Sequence, residues 1–271
     1  MIENRNDRSG YGSEMKLSGR IAVVTGGASG IGAACARRFV AEGARVVLGD
    51  LNEAGLAVMQ DELGEACATE VTDVTIEADV ERLVARAIST FGHVDLGLNA
   101  AGLGTVAPVH AHPLESWDLV FDVCVKGVML STKYQSAAML QHGGGVIINL
   151  ASINSVVPSE GMSAYCSAKA AVAMYTKCAG MELAPHGIRV VAIGPGLVET
   201  PLTSYAKAIP AIEAAYVESI PMGRIGTTTD VANAAVFLAS DEASWVTATT
   251  FYVDGGESTK SYPNLAELSG M

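Results

Sequence analysis

The chain has 271 residues, of which 49% are hydrophobic, and its formal net charge at pH 7 is −12. This length and composition suit one α/β domain with a single large core, and the acidic surface disfavours nucleic acid and anionic membranes as partners. No apolar run approaches the ~20 residues that span a membrane. The five cysteines have no CxxC or metal-ligand spacing, so we predict a cytoplasmic protein without a metal site.

Composition divides the chain into a polar N-terminal tail (1–15), one folded domain (16–257) and a C-terminal tail (258–271). Apolar runs predict strands at 20–25, 45–49, 66–71, 96–98, 145–150, 189–193 and 251–253. Helical periodicity predicts helices at 30–42, 53–62, 77–91, 114–141, 164–184 and 229–239. Because strands and helices alternate, we predict an α/β fold with a doubly wound parallel sheet and helices on both faces. Ligands of such sheets bind at the carboxyl ends of the strands.

The first strand ends in a glycine-rich turn, and a helical pattern follows at once. This order of strand, tight turn and helix is typical of a dinucleotide-binding βαβ unit. Gly26, Gly30 and Gly32 would let the backbone approach a pyrophosphate, whose charge would lie on amides at the helix N-terminus. A glycine-rich turn without a ligand is the alternative that this motif alone leaves open.

Asp50 ends the second apolar run, roughly 20 residues after the glycines, where a carboxylate can bind both hydroxyls of an adenosine ribose. A carboxylate at this place would repel the 2′-phosphate of NADP. Neither Gly27–Ser29 nor Leu51–Asn52 supplies a cation that would neutralise it. We therefore predict NAD as the cofactor; a turn-forming Asp at a strand end is the alternative.

Three other strand ends offer small or polar groups to the same edge of the sheet. After the third strand, Asp73 would accept from the adenine amino group and Val74 would pack on the ring, although Asp73 also suits a loop that starts the next helix. After the fourth strand, 99–102 offers small residues to a flat cofactor. After the sixth strand, 195–200 forms a rigid turn whose backbone could hold a carboxamide.

The fifth strand and the helix that follows it carry three candidate catalytic residues. Ser152 follows the tip of the strand, and Tyr165 and Lys169 are separated by four positions, which places them on one helical face. The ammonium group is expected to lower the phenol pKa from its ordinary value near 10 towards the working range. Taken separately, Tyr165 and Lys169 suit a half-exposed helix face, and Ser152 suits a cap or turn.

Taken together, these motifs resemble those of the short-chain dehydrogenase/reductase family over about residues 16–257. The matched elements are Thr25–Gly32, Asn99–Gly102, Ser152, Tyr165-x-x-x-Lys169, Pro195-Gly196 and Asp254-Gly255-Gly256. The resemblance implies a single Rossmann-type domain of about seven strands, assembled as a homotetramer or dimer. It implies that Tyr165 is the catalytic acid/base, that Lys169 binds the cofactor ribose and modulates the tyrosine pKa, and that Ser152 polarises the substrate oxygen. The predicted cofactor contacts are Gly26, Ser29, Gly30, Ile31, Gly32, Asp50, Leu51, Asp73, Val74, Asn99, Ala100, Gly102, Tyr165, Lys169, Pro195, Gly196, Val198 and Thr200.

The chain departs from the family pattern at Cys124, where the family usually has an Asn that is associated with a helix kink and a proton-relay water. A thiol is a weak hydrogen-bonding group, so either the relay is slower or a backbone carbonyl holds the water. A small apolar filler is a better interpretation of Cys124 than a reactive thiol.

We therefore predict an NAD-dependent oxidoreductase that moves a hydride between the nicotinamide and a secondary alcohol or ketone. Its substrate is expected to be neutral or apolar, because 153–163 and 200–222 contain no Arg cluster. The segment 200–222 is predicted to be a lid whose inner face carries Leu202, Tyr205, Ile209, Ile212, Tyr216, Val217 and Ile220, with ordinary packing on the core as the alternative.

Three alternative functions stay open at this point. A 3-oxoacyl-[acyl-carrier-protein] reductase is weakened by Asp50 and by the acidic charge of the chain. The others are a non-catalytic nucleotide-binding sensor and a different reaction on the same scaffold, such as dehydration.

Overall fold

The computed structural model describes residues 15–204 and 209–260, and it contains one parallel sheet of seven strands. The strands are β1 (Ile21–Thr25), β2 (Arg45–Asp50), β3 (Cys67–Val71), β4 (Leu96–Asn99), β5 (Gly145–Leu150), β6 (Ile188–Pro195) and β7 (Thr250–Val253). Their order in the sheet is β3-β2-β1-β4-β5-β6-β7. The predicted doubly wound α/β fold is confirmed, and each strand lies where the apolar runs predict it, with ends that differ by at most two residues.

The helices of the described segments are α1 (Gly30–Ala41), α2 (Glu53–Leu63), α3 (Glu77–Phe91), α4 (Leu114–Phe121), α5 (Gly127–Leu140), α6 (Ser163–Leu183), α7 (Pro210–Ser219) and α8 (Thr228–Ala239). The helix predicted at 114–141 is divided, because a π-helical segment, Asp122–Lys126, joins α4 to α5. Such a widened turn is frequent at functional sites, and this one contains Cys124.

The core lies on both faces of the sheet because successive strand residues point to opposite faces. Val24 on one face of β1 packs in a cluster that includes Phe39 of α1. Its neighbour Val23 belongs to a second cluster, on the other face, that includes Leu83 of α3. The apolar interior therefore holds the sheet rigidly between two helical layers, and the strand ends are left to form a site. Among the described residues, no helix is long and apolar enough to cross a membrane.

The apolar residues of the predicted lid pack mainly against one another. Ile212, Tyr216 and Ile220 are buried in a small cluster with Leu197 and Ile225. This contact pattern agrees with ordinary packing for these three residues. Leu202 and Ile209 are exposed. Tyr205 lies outside the described residues, as do 1–14 and 261–271 of the two predicted tails.

The glycine-rich turn after β1 is packed so closely that side chains are excluded. A Cβ atom on Gly32 would overlap the carbonyl oxygen of Gly26. A Cβ atom on Gly26 would lie 2.7 Å from the amide nitrogen of Ala101, in the loop that follows β4. The turn is therefore held against the neighbouring strand end by backbone contacts.

We predict that Gly32→Ala lowers the free energy of unfolding by about 1–3 kcal/mol, because the added methyl must displace backbone atoms. Gly102→Ala is the matched control, since its added Cβ would lie 3.5 Å from Lys169 Nζ, an ordinary contact distance. Urea denaturation of the two variants and the wild type measures the difference. Equal losses in the two variants would contradict the close packing described for Gly32.

Candidate active site

Two adjoining cavities lie at the carboxyl ends of the strands. The larger has a volume of about 350 Å³, and the smaller has a volume of about 110 Å³. The residues that line both cavities are Ile31, Ala100, Gly102, Thr200 and Leu202. The two cavities therefore form one continuous crevice, at the edge of the sheet where ligands of such folds bind.

The larger cavity lies where the strand order reverses, between β1 and β4, and it extends past the ends of β2 and β3. Most of the predicted cofactor contacts line it: Gly26, Ser29, Gly30, Ile31, Gly32, Asp50, Leu51, Asp73, Val74, Ala100, Gly102 and Thr200. Strand ends that are distant in the sequence thus surround one elongated space.

The N-terminus of α1 opens into this larger cavity. Ser29 occupies the cap position, but its side chain makes no capping hydrogen bond, and the first turn contains no acidic residue. The first amides of a helix lack partners within the helix and attract anions. Together with the glycine cradle around Gly26 and Gly32, this end of α1 fits a pyrophosphate group.

Asp50 lies at the end of β2 with its carboxylate held by backbone donors. Its Oδ2 accepts a hydrogen bond from the Ala28 amide at 3.1 Å, and its Oδ1 accepts from the Asn52 amide at 2.9 Å. Each carboxylate oxygen has further acceptor capacity. The described lining of the larger cavity contains two carboxylates, Asp50 and Asp73, and no Lys or Arg.

Asp73 also belongs to the loop that starts the next helix, as the alternative interpretation proposes. Its Oδ1 accepts from the amide and the hydroxyl of Thr75, both at 2.8 Å, in the turn that leads to α3. Val74, beside it, is buried and packs in a cluster with Val80 and Leu130. Both Asp73 and Val74 line the cavity, so these contacts leave the predicted adenine site available.

Asn99 is the predicted cofactor contact that is absent from the described lining of both cavities. Its side chain is buried between strands and helices, where Nδ2 donates to Asn149 Oδ1 at 2.8 Å and Oδ1 accepts from Gln135 Nε2 at 2.9 Å. The amide side chain therefore ties the ends of β4 and β5 together.

The smaller cavity contains the three candidate catalytic residues, together with Pro195, Gly196 and Val198. Lys169 is buried, and its Nζ donates to the Leu150 carbonyl at 2.7 Å. The same Nζ lies 5.6 Å from the centre of the Tyr165 ring. One turn of α6 therefore holds an ammonium group beside a phenol, as the spacing predicts.

Ser152 lies at the same cavity because it follows directly after β5. Its Oγ accepts from the Asn154 amide at 3.1 Å and donates to Asn154 Oδ1 at 3.3 Å. The hydroxyl therefore caps the short turn 153–155, as the alternative interpretation expects, while it also lines the cavity with Tyr165.

Burial raises the pKa of the Tyr165 phenol above its ordinary value, and this effect exceeds the opposing ones. Lys169 and a hydrogen bond with Ser152 lower the pKa, while Cys124 raises it further. The ammonium group lowers the phenol pKa as expected, but the expectation that the net shift would be downward is wrong. The physical reason is that desolvation disfavours the phenolate more than one nearby cation stabilises it.

Cys124 is fully buried in the π-helical segment, and its thiol donates to the Leu103 carbonyl at 3.3 Å. Its side chain packs in an apolar cluster that includes Ala164 and Ala168 of α6. Cys124 lies near the site, close to the same glycine, Gly102, as Lys169. A Cβ atom on Gly102 would lie 3.5 Å from Lys169 Nζ and 3.7 Å from Cys124 Sγ.

The lining residues that are not among the predicted cofactor contacts are Gly49, Thr72, Ala101, Leu103, Val123, Leu150, Ala151, Pro201, Leu202 and Thr203. Of these, Ala101 lies in the predicted segment 99–102, and Leu202 belongs to the predicted inner face of the lid. Most adjoin a predicted contact, so a wider window at each strand end would include them. Val123 differs, because the packing of the π-helical segment brings it to the cavity. The described ranges contain no cluster of three or more His, Cys, Asp or Glu suited to a metal.

Comparison with known proteins identifies the family. Residues 26–258 match a family model described as enoyl-(acyl carrier protein) reductase. The chain is 42% identical over 245 residues to 3beta-hydroxysteroid dehydrogenase 1 of Eggerthella lenta, covering 89% of this chain and 94% of that protein. It is 38% identical over 245 residues to 2,5-dichloro-2,5-cyclohexadiene-1,4-diol dehydrogenase of Sphingobium indicum, covering 89% and 97% of the two chains.

A solved structure is also similar to this chain. It is the 3-ketoacyl-(acyl-carrier-protein) reductase of Brucella melitensis complexed with NADH, with a TM-score of 0.84, 37% sequence identity, and coverage of 89% of this chain and 99% of that one. Fold, family model and full-length relatives thus agree, and the chain belongs to the short-chain dehydrogenase/reductase family.

Proposed function

We propose that this protein is an NAD-dependent oxidoreductase that reversibly converts a secondary alcohol to a ketone. The observation that carries the proposal is the meeting of Ser152, Tyr165 and Lys169 at a cavity that adjoins a second one suited to a dinucleotide. The relatives named as dehydrogenases support an activity on alcohol groups, and the NADH bound to the Brucella reductase supports a nicotinamide cofactor.

Each of the three residues has a role that its chemistry suits. Tyr165 would take the hydroxyl proton of the alcohol or return it to the ketone oxygen. Lys169, fixed at the Leu150 carbonyl, would bind the cofactor ribose and stabilise the phenolate form of Tyr165. Ser152 would donate a hydrogen bond to the substrate oxygen. The nicotinamide, when bound, supplies the hydride chemistry, and the protein contributes orientation and proton transfer.

The charge of the larger cavity supports NAD as the cofactor. Its described lining carries Asp50 and Asp73 without a neutralising cation. A 2′-phosphate beside Asp50 would therefore meet a carboxylate with no cation to bridge the two.

We further propose a neutral, largely apolar substrate. Lys169 is the only charged residue in the described lining of the smaller cavity, and the proposed mechanism already uses it. A 3-oxoacyl carrier protein is a less favoured substrate, because the net charge of −12 would repel an acidic carrier. We also propose that the protein is cytoplasmic and assembles as a homotetramer or dimer. Exposed apolar residues such as Met174 and Met181 on α6 support the assembly.

The central test measures NADH formation at 340 nm with a panel of secondary alcohols, sugars and sterols, with NADP in parallel. We predict that Tyr165→Phe abolishes turnover and leaves NADH binding within about twofold, because the ring keeps its packing and loses only the hydroxyl. Retention of more than a few per cent of turnover would rule out Tyr165 as the acid/base. Inactivity of the wild type across the panel, with NADH bound, would favour a nucleotide-binding sensor.

The cofactor choice has its own test in Asp50→Asn. This change removes the charge, and we predict that it lowers the NAD-to-NADP ratio of kcat/KM by tenfold or more, consistent with the ~1.5–3 kcal/mol of a charged hydrogen bond. Asp61→Asn, at an exposed position of α2, is the control. A wild-type preference for NADP would contradict the assignment.

For Cys124, we predict that Cys124→Asn keeps or raises turnover, because an amide is a stronger hydrogen-bonding group than a thiol. Cys178→Ser, at an exposed thiol of α6, controls for loss of a cysteine. Steady-state kcat is the measurement. A loss above tenfold in a folded Cys124→Asn protein would show that the thiol has its own role.

A further inference from the structure

A buried carboxyl group, Glu257, lies behind the wall of the smaller cavity. Its side chain is 1% exposed, and Oε2 accepts a hydrogen bond from the Leu197 amide at 2.9 Å. A Cβ atom on Gly196 would lie 2.5 Å from the same oxygen, so the carboxyl group packs directly against the Gly196 backbone. None of the roles proposed above for the site residues uses this group.

The residues that Glu257 contacts link the cavity to the segment that carries α7. Gly196 lines the smaller cavity together with Tyr165 and Lys169. Leu197, the next residue, is buried in the apolar cluster that contains Ile212 of α7. The hydrogen bond that the Leu197 amide donates to Glu257 therefore restrains the junction between the cavity wall and this cluster.

The turn that carries Glu257 is itself well fixed. The two carboxylate oxygens of Asp254 accept from the amides of Gly256 and Ser258 at 3.0 and 2.9 Å. The Glu257 amide donates to the Asp254 carbonyl at 3.0 Å. The backbone of Gly256 has φ +87°, a conformation that favours glycine. The turn can therefore act as a fixed support for the loop 195–197.

The burial of Glu257 is energetically costly. Its Oε1 is buried and has no hydrogen-bond partner among the described residues. Burial is the largest influence on the carboxyl group and, with the charge of Asp254, raises its pKa from 4.5 to about 7 against the opposing effect of the Leu197 amide. The loop 195–197, which faces Glu257, has no titratable side chain. In the segment that carries Glu257, the ammonium group of Lys260 donates to the Glu218 carbonyl.

We propose that Glu257 is a positioning residue for the active site: its carboxyl group holds the backbone of Gly196 and Leu197 and thereby sets the cavity wall for cofactor binding. This inference rests on the proposed function, since it assigns the nicotinamide end of the dinucleotide to the smaller cavity. Glu257 acts through the loop and touches neither the substrate nor the reacting atoms.

The first test uses the protein without cofactor. Because the folded pKa lies above that of an exposed Glu, the stability contributed by Glu257 is present at low pH and is lost as pH rises through about 7. We expect the Tm of the wild type to fall relative to that of Glu257→Gln by at least about 2 °C between pH 5.5 and 8.5. A Tm difference that is independent of pH would show that Glu257 is not the buried carboxyl group on which the positioning role depends, and it would overturn that role.

The second test measures the Kd of NADH by fluorescence. Glu257→Gln retains an acceptor for the Leu197 amide and should bind within about twofold of the wild type. Glu257→Asp is one methylene too short and should weaken binding about tenfold, consistent with a buried amide left without its partner. Glu65→Asp, at an exposed position, is the matched control.

The outcomes distinguish the two proposals. Unchanged binding by Glu257→Asp, or equal weakening in Glu65→Asp, would overturn the positioning role while leaving the proposed function intact. A wild type that does not bind NADH would overturn the proposed function and this role with it. If Glu257→Asp lowers the Tm but leaves the Kd unchanged, the residue is structural only, and the positioning role is wrong.

Discussion

The parallel pairing of β1 with β4 is the constraint on which the site depends. β1 also pairs with β2, so the chain leaves β1 and β4 in opposite directions across the sheet. The connecting segments diverge there and leave a crevice that none of the described helices fills. The turn at Gly26 must still pass close to Ala101, which only glycine permits. The turn after β1 therefore requires small residues because of both the sheet order and the close backbone contact.

The electrostatics of the crevice divide it into two parts. The larger cavity has carboxylates and helix amides but no cation in its described lining, a combination that supports the proposed NAD site. The smaller cavity has one ammonium group beside one phenol. Tyr165 is partly buried, and the resulting desolvation raises the pKa of its phenol by more than the Lys169 ammonium group lowers it. In the proposed reaction, Tyr165 would therefore start as the neutral acid.

Buried polar groups around the crevice serve to hold backbone in place. The amide side chains of Asn99, Gln135 and Asn149 form a hydrogen-bonded series between β4, β5 and α5. Glu257 holds the loop after β6 in a similar way, with one oxygen satisfied and one not. Gln135 Oε1 and Glu257 Oε1 are both buried without a hydrogen-bond partner among the described residues, and an unpaired buried polar atom costs stability. The hydrogen bond that the Leu197 amide donates to Glu257 fits the proposed role in positioning the loop after β6.

The sequence by itself determined the strands, most of the helices and the placement of Tyr165 beside Lys169 on one helical face. It did not predict α7 as a helix or the division between α4 and α5. Continuous apolar runs and glycine turns identify buried parallel strands, and the spacing of Tyr165 and Lys169 depends only on helix geometry. Motif context also indicated the family. Only the tertiary structure decided the long-range features: the π-helical segment around Cys124, the withdrawal of the Asn99 side chain from the cavities, the upward pKa shift of Tyr165, and the contact of Glu257 with Leu197. Each of these depends on which elements pack together and how much water they exclude, and no local pattern carries that information.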